Sequence, residues 1–294
     1  MDLFFAPFER NFLTPLKTGA NTFLKRSGFI LKNDNHYAEA SSLIGLSFDF
    51  ALSALNKKIL WKDPVSTAAL IGIDDFKNQK MKIDKYINEG FRTFKFKISP
   101  STITEAAKLL HEVKTHDKAL RMRMRIDANK SFTFKEAINS LPHLENLPIE
   151  YWEDPLDNEN QLEEFSKHCP FPLAADEGLL KENDFHHYLK SPYEYFILKP
   201  SLLGPEEKIK EMITLSKKAD KKIIFSSALE SEIGLQEIFR LASLYGEGET
   251  HGLGTLSFFK EQYLSYSPYT TSPPLLSLEG KKWLDELPWA RLNL

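Results

Sequence analysis

The stretch RTFKFKISPSTITEAAKLLHEVKTH, residues 92–116, shows the unit from which the fold is predicted, because it joins a short apolar strand to an amphipathic helix. The same alternation recurs along the chain, with helical segments that carry apolar residues at i, i+3 and i+4 and charge on the opposite face. Eight strands that alternate with helices predict an α/β fold of the (β/α)8 barrel type. An open doubly wound sheet is the alternative, but no G-x-G-x-x-G turn follows the first strand. The eight predicted strands cover 67–73, 92–98, 120–127, 149–154, 172–177, 195–200, 222–230 and 247–255.

The first 63 residues follow a different rhythm. Strands are predicted over 4–11 and 27–32, joined by a loop that contains Thr18, Gly19 and Ala20, and a third strand near 35–40 precedes a helix over 47–59. An α+β unit of this size is small for independent stability. Aromatic residues and prolines alternate beyond residue 256, which is typical of a tail that covers another part of the chain. We therefore expect a capping domain over 1–63, completed by 257–294, and a barrel domain over 64–256.

Composition excludes several classes of protein. The 294 residues contain 38 Lys and Arg against 41 Asp and Glu, and this balance does not favour a nucleic-acid groove. The single cysteine, Cys169, excludes an internal disulfide framework and a cysteine-based metal site. The N-terminal residues lack a signal-peptide core, and no stretch approaches the ~18 apolar residues of a membrane span. We expect a cytoplasmic protein without nucleic-acid or membrane partners, and the choice between monomer and homodimer stays open.

Two lysines alternate with two phenylalanines in the second predicted strand. Side chains at i and i+2 share a face, so Phe94 and Phe96 pack under the helices while Lys95 and Lys97 point together into the barrel. An exposed edge strand with a solvated lysine face is the alternative. A closed barrel has no such edge, and two ammonium groups inside it require negative partners.

Three carboxylates close the next three predicted strands. Asp127, Glu153 and Asp176 follow Lys97 at intervals of 23 to 30 residues, which is about one β/α unit each. Each acid taken alone is also typical of a turn or a helix cap. Together they fall at the C-terminal mouth of consecutive strands, where barrel enzymes carry their sites. Converging carboxylates need a cation, and hard oxygen ligands favour Mg²⁺, with Mn²⁺ as a substitute.

A further charge, Lys199, ends the sixth predicted strand, where Pro200 stops it. The sixth strand of a barrel lies across from the second, so Lys97 and Lys199 are expected to flank the metal from opposite sides. A structural salt-bridge lysine is the alternative.

These five motifs resemble the enolase superfamily, and within it the muconate-lactonizing subgroup. The subgroup has K-x-K on strand 2, metal-binding Asp, Glu and Asp on strands 3 to 5 and Lys on strand 6, in a modified barrel with a capping domain. The chain is most similar to the o-succinylbenzoate synthases, through its short length, the sequence SSALES at 226–231 and Gly252-Leu253. Dipeptide epimerases usually place an acidic pair after strand 8, whereas residues 251–255 offer none. The segment after Glu39, at 40–45, departs from the proline-containing loop of many relatives.

The resemblance implies a lyase that removes water from 2-succinyl-6-hydroxy-2,4-cyclohexadiene-1-carboxylate, a small-molecule carboxylate. Lys97 would take the ring proton and return it to the departing hydroxyl, while Lys199 stays cationic and faces the ring. Removal of the proton needs an amine shifted from a pKa of about 10.4 toward about 7–8, and the nearby Lys95 and the metal favour that shift.

The same resemblance assigns further candidates outside the two lysines and the three acids. Asn129 would bind the substrate carboxylate or a ligand oxygen, and Glu177 would orient a metal ligand or a lysine. The substrate's succinyl carboxylate would be met by residues that are equally typical of an ordinary strand end: Ser226, Ser227 and the backbone near Gly252.

Three other readings stay open. An N-succinylamino acid racemase uses the same two lysines on either side of the α-carbon. A glycoside hydrolase would pair Glu153 with Glu230, but that reading leaves four charged residues without a role: Lys97, Asp127, Asp176 and Lys199. A non-catalytic barrel that serves as a binding or scaffold protein is the third.

Overall fold

The computed structural model describes residues 3–18, 21–34, 36–41, 48–55, 57, 60–71, 76–115, 122–180 and 185–291. The strands are β1 Leu3–Thr18, β2 Asn21–Asn33, β3 His36–Ser41, β4 Val65–Thr67, β5 Ala69–Ile71, β6 Thr93–Lys97, β7 Arg123–Asp127, β8 Ile149–Glu153, β9 Leu173–Ala175, β10 Tyr195–Leu198, β11 Lys222–Phe225, β12 Thr250–His251, β13 Tyr269–Thr270 and β14 Ala290–Arg291. The α-helices are α1 Phe48–Leu55, α2 Phe76–Asn88, α3 Ile103–Lys114, α4 Phe134–Leu144, α5 Leu162–Ser166, α6 Phe185–Tyr188, α7 Pro200–Leu203, α8 Glu206–Lys218, α9 Glu232–Tyr245 and α10 Leu278–Asp285. Short 3-10 helices cover Glu159–Gln161, Glu177–Leu180 and Leu256–Phe258.

Contacts divide the chain into two compact units. Unit 1 comprises Met1–Ser66, Leu198–Ile213 and Phe225–Leu294, and unit 2 comprises Thr67–Ile197 and Thr214–Ile224.

A seven-stranded sheet with the order β11-β10-β9-β8-β7-β6-β5 confirms the α/β class. The described pairings within it are parallel, and each strand lies beside the next one along the chain. One face is apolar and carries the buried side chains of Phe94, Phe96, Ile126 and Trp152. Phe165 of α5 packs edge-on against Trp152 at a ring distance of 5.6 Å, which shows how a helix covers this face. The opposite face carries the charges predicted from strand alternation.

Helix α4 illustrates how local sequence starts a covering helix. Thr133 precedes it, and the Thr133 hydroxyl accepts a hydrogen bond from the Glu136 backbone N–H at 3.3 Å. The Glu136 carboxylate accepts in return from the Thr133 N–H at 2.9 Å, which completes a capping box. These hydrogen bonds from Thr133 lower the pKa of Glu136.

The eighth predicted strand differs from expectation. Its only strand residues within the described part are Thr250 and His251, and they belong to a three-stranded sheet with the order β12-β4-β13. Glycines at 248, 252 and 254 flank the strand, and glycine weakens a strand interior. A single parallel bridge between Ser226 and Gly252 continues the pairing direction one step beyond β11.

Unit 1 contains the long antiparallel hairpin of β1 and β2 in a sheet with the order β14-β1-β2-β3. These strands and helix α1 match the predicted N-terminal elements, although both hairpin strands are longer than predicted. The predicted loop residues Gly19 and Ala20 and the segment 42–45 lie outside the described residues. Two buried clusters stabilise this unit. One joins Leu31, Ala38, Ala40, Ala51, Ala54 and Leu55, and the other joins Phe8, Ile30, Ile233 and Leu284.

Within the part of the chain that the structure describes, no helix has the length and apolar character needed to cross a membrane.

Candidate active site

The carboxyl ends of β6, β7 and β8 bring one lysine and two acids side by side. Lys97 is the register partner of Asp127, and Asp127 is the partner of Glu153, so the three side chains leave the same face of the sheet. Asp127 is 3% exposed and Glu153 is fully buried. Neighbouring buried carboxylates repel each other unless a positive charge lies between them.

Lys95 supplies a positive charge from one layer below. Its Nζ lies 3.0 Å from Asp127 Oδ2 and 2.6 Å from Glu153 Oε1. Burial alone would lower the pKa of Lys95, but the charges of Asp127 and Glu153 outweigh it and raise the pKa well above its ordinary value. Lys95 is therefore a fixed cation and is unsuited to accept a proton at neutral pH.

Lys97 has a different partner. Its Nζ donates to Asn129 Oδ1 at 2.8 Å, and Asn129 Nδ2 donates to Glu177 Oε1 at 3.1 Å. The Asn129 backbone has a φ of +44°, a left-handed conformation that asparagine tolerates better than most residues, and its N–H donates to Asp127 Oδ1 at 3.1 Å. The turn after β7 thus links three of the predicted site residues through Asn129: its side-chain amide joins Lys97 and Glu177, and its backbone N–H joins Asp127.

A buried aspartate that sequence reasoning missed holds the turn after β9. Asp154 accepts hydrogen bonds from the backbone N–H groups of Asp176 at 3.3 Å and Glu177 at 3.0 Å. Burial raises the pKa of Asp154 well above its usual range, and the neighbouring Glu177 adds to the effect. Asp154 directly follows Glu153 in the sequence, which was the only signal for it.

The predicted metal ligands have the right chemistry for magnesium. Asp127, Glu153 and Asp176 are buried carboxylates that end neighbouring strands, and Mg²⁺ prefers such oxygen ligands. Among the described residues, no three His, Cys, Asp or Glu side chains form a group that could hold a metal ion, and the Lys95 ammonium contacts two of the three predicted ligands. The donor set fits magnesium in kind and in strand order, and in this structure the Lys95 ammonium balances the charge of two of the three carboxylates.

A second layer lies below the first on the same face. Lys95, Arg125 and Tyr151 are register partners, and the Arg125 guanidinium lies 4.8 Å from the centre of the Tyr151 ring. Arg125 is 1% exposed and its Nε donates to Glu150 Oε2 at 2.5 Å. Strand alternation would have identified Arg125, because it lies two residues before Asp127.

Four predicted site residues belong to unit 1: Lys199, Ser226, Ser227 and Gly252. Lys199 is half-buried and stands at the N-cap of α7. Within the described ranges, Ser226 Oγ makes one hydrogen bond, a long one of 3.5 Å to the Gly252 carbonyl. A Cβ added at Gly252 would lie 2.8 Å from Ser226 Oγ, so a larger residue there would displace that hydroxyl.

The hydroxyl of Ser227 is already committed within the protein. It donates to Glu230 Oε2 at 2.6 Å and accepts from the Leu229 N–H at 3.0 Å and from Thr255 Oγ1 at 2.9 Å. Glu230 in turn is 1% exposed and also accepts from the Ser201 hydroxyl and the Ala228 N–H. A carboxylate held by several internal donors does not suit the nucleophile or acid of a glycoside hydrolase.

Residues 80–252 match the model of a protein family described as enolase C-terminal domain-like, which covers more than half of the chain. Among curated proteins, the o-succinylbenzoate synthase of Yersinia enterocolitica is 28% identical over 158 residues, 52% of this chain and 48% of that protein. The chain thus spans about half the length of the curated relatives that it matches.

Solved structures extend the likeness over nearly the whole chain. A dipeptide epimerase from Cytophaga hutchinsonii, complexed with Mg and the dipeptide D-Ala-L-Val, has a TM-score of 0.80 at 17% identity and covers 99% of both chains. An o-succinylbenzoate synthase from Thermosynechococcus elongatus, complexed with Mg in the active site, has a TM-score of 0.75 at 20% identity and covers 97% of this chain and 99% of that one. At these identities the likeness shows a shared fold.

Proposed function

The chain belongs to the enolase C-terminal domain-like family, and from this premise we propose that it is a magnesium-dependent o-succinylbenzoate synthase. The reaction is the syn dehydration of 2-succinyl-6-hydroxy-2,4-cyclohexadiene-1-carboxylate to o-succinylbenzoate, a step of menaquinone synthesis. The observation that carries the proposal is the division of labour between two lysines on one sheet face. Lys95 is locked to two acids, whereas Lys97 is held by the neutral amide of Asn129.

Lys97 performs both proton transfers in this proposal. Its neutral amine takes the proton beside the substrate carboxylate, and the bond's electron pair moves into the carboxylate as an enediolate. The resulting Lys97 ammonium then protonates the hydroxyl on the neighbouring ring carbon, the C–O bond breaks, and water leaves as the ring becomes aromatic. Asn129 orients the Lys97 amine by accepting a hydrogen bond from it.

The three acids hold the metal in the proposal. Asp127, Glu153 and Asp176 would bind Mg²⁺, with Mn²⁺ as a substitute, and Glu177 would orient them through Asn129. A bound divalent cation supplies electrostatic stabilisation for the charge that develops on the substrate carboxylate. Buried Lys95 adds a fixed positive charge beside the same acids.

Further residues bind the rest of the substrate in this proposal. Lys199 stays cationic and faces the ring, and Ser226 with the backbone near Gly252 receives the succinyl carboxylate. The structure favours Ser226 over Ser227 for this contact, because the Ser227 hydroxyl already uses its proton and both lone pairs.

The proposal also includes the domain arrangement, the cellular location and the kind of partner. The parallel sheet closes into a barrel, with a capping domain over 1–63 completed by 257–294 and the barrel domain over 64–256. The enzyme is cytoplasmic, and its partner is a small carboxylate rather than nucleic acid or a membrane.

A coupled assay with freshly made cyclohexadiene substrate, with and without EDTA, tests the proposal. We expect o-succinylbenzoate to form at a rate that EDTA abolishes and Mg²⁺ restores. Incubation of an N-succinylamino acid in D₂O separates the racemase alternative, which would exchange the α-proton without any dehydration. Absence of dehydration with active substrate and added Mg²⁺ would reject the synthase assignment.

A further inference from the structure

Glu230 is a buried carboxylate to which three donors point. Its Oε1 accepts from the Ser201 hydroxyl, and its Oε2 accepts from the Ser227 hydroxyl at 2.6 Å and from the Ala228 N–H at 2.8 Å. A buried charge satisfied in this way holds its donors at fixed positions, because losing any of them leaves a polar group without compensation. Glu230 thereby ties α7 to the turn after β11.

Ser227 extends these links to a third segment. Its hydroxyl accepts from Thr255 Oγ1 at 2.9 Å, so residues Ser201, Ser227, Glu230 and Thr255 form one connected cluster, which we call the brace. Two backbone hydrogen bonds join the same segments, from the Ser226 N–H to the Leu198 carbonyl at 2.8 Å and from the Ser227 N–H to the Gly252 carbonyl at 3.0 Å.

The turn inside the brace has a conformation that its sequence does not favour. Leu229 has a φ of +67°, in the left-handed region that disfavours a leucine. The Leu229 N–H donates to Ser227 Oγ at 3.0 Å, and Arg26 Nη1 donates to the neighbouring Ala228 carbonyl at 3.1 Å. An unfavourable backbone held by surrounding bonds indicates a position that the structure specifies strongly.

Each proposed substrate-binding residue of unit 1 lies within three positions of a brace residue. The pairs are Lys199 with Ser201, Ser226 with Ser227, and Gly252 with Thr255.

We propose that Glu230 is a positioning residue, which through the brace sets the mutual spacing of Lys199, Ser226 and Gly252. This inference rests on the proposed function, because that function assigns the three residues to substrate. Glu230 itself touches neither substrate nor metal in this proposal. Its effect on the reaction therefore passes through the groups that it holds.

Steady-state kinetics of Glu230→Ala and Glu230→Gln test the proposal. Misplacement of reacting groups by about 1 Å costs on the order of 100-fold in rate, so Glu230→Ala should lower kcat by about that factor and also raise KM. In Glu230→Gln the amide oxygen still accepts from Ser227 and the Ala228 N–H, and its NH₂ meets a Ser201 hydroxyl that rotates to accept. The glutamine variant should therefore keep kcat within about tenfold of the wild type.

The neighbouring serines separate contact from positioning. Ser226→Ala should raise KM with little change in kcat, because it removes a proposed substrate contact. Ser227→Ala should behave like Glu230→Ala, and the double variant should be no worse than either, because the two residues act as one unit. Ser140→Ala is the matched control, since Ser140 is a buried serine whose hydroxyl, among the residues that the structure describes, bonds only to the Glu136 carbonyl in α4. It should leave both constants unchanged.

The following outcomes decide the inference. A folded Glu230→Ala variant with wild-type kcat and KM would overturn it, as would fully additive losses in the double variant. If Glu230→Ala does not fold, Ser201→Ala replaces it, since it removes one hydroxyl and should still lower kcat.

Hydrogen exchange keeps this test independent of the proposed function. If the wild-type protein shows no dehydration, the function fails, but the brace is still measurable in Glu230→Gln and Ser201→Ala. Segments 199–203 and 226–231 should both exchange faster in Ser201→Ala than in the wild type. Faster exchange in 199–203 alone would show that the two segments are not coupled and would overturn the inference.

Discussion

The charged face of unit 2 and the brace of unit 1 hold their functional groups in different ways. On the charged face, Lys95 touches Asp127 and Glu153 directly, so opposite charges fix each other. In the brace, one buried carboxylate collects hydroxyl and N–H donors, and the proposed substrate residues stand a few positions away along the chain. On the charged face of unit 2, the proposed reactive groups hold one another in place. In unit 1, the proposed substrate-binding residues are held by other residues nearby in the chain.

Substitution of Lys97, on the charged face, should have the largest effect on activity. Lys97→Ala removes the proposed base, and a positioned proton-transfer group contributes about 10²- to 10⁴-fold in rate, so kcat should fall by at least about 10²-fold. Lys199→Ala should be severely impaired as well. Turnover and deuterium incorporation in D₂O measure both effects, with the exposed Lys108→Ala as the control. Full activity in a Lys97→Ala preparation free of wild type would show that Lys97 is not the base.

Loss of a proposed metal ligand should have the next largest effect. Asp176→Asn removes the charge of one proposed ligand, and Mg²⁺ affinity measured by calorimetry should weaken at least about tenfold. The exposed Asp157→Asn makes the same chemical change and should bind Mg²⁺ as the wild type does. Equal affinities in the two variants would show that Asp176 is not a ligand.

Asn129 allows a smaller and more specific test of direct contact. Asn129→Gly and Asn129→Ala both delete the amide that holds Lys97, and both should lower kcat by about tenfold. Only alanine is strained at a φ of +44°, so only Asn129→Ala should also lose about 1 kcal/mol of unfolding free energy. Kinetics and urea unfolding separate the two effects. Wild-type kcat in the glycine variant would mean that Lys97 needs no such support.

Loss of the capping box of α4 should give the smallest effect. It serves as the reference for a change that affects stability and leaves activity unchanged. The lowered pKa of Glu136 means that its stabilising contribution is present above its unfolded pKa and is lost as the pH falls through the folded pKa. Thr133→Ala should therefore lower the unfolding midpoint at pH 7 by on the order of 2 °C, with a smaller difference in acid and unchanged kcat. A midpoint difference that grew in acid would contradict the sign.

Strand alternation and spacing predicted the charged face well. The K-x-K pattern and the 23- to 30-residue intervals depend on local backbone geometry, which the sequence displays directly. Seven of the eight predicted strands lie in the parallel sheet, and Lys97, Asp127 and Glu153 lie in register on one face. The eighth strand was predicted less well: it is only two residues long and lies in a different sheet. Its flanking glycines have no side chains to specify the pairing, so tertiary contacts determine it.

The brace could not be predicted from the sequence. Ser201 and Glu230 are 29 residues apart, and nothing in a lone serine or glutamate signals that they meet. The left-handed Leu229 depends on surrounding hydrogen bonds that override local preference. Sequence reasoning accordingly grouped Ser227 with Ser226 as a ligand, and it considered Glu230 only as the partner of Glu153 in a hydrolase.

The division of the chain has a consequence for the order of assembly during synthesis. The parallel sheet pairs each strand with its successor, so Ala69–Phe225 can zip together as it leaves the ribosome. Unit 1 is discontinuous, and the edge of β1 gains its partner β14 only when residues 290–291 have been made. Until those residues are made, Phe4 and Phe5 of β1 lack the strand partner that they have in the folded chain, and an unpaired strand edge can pair with a wrong segment.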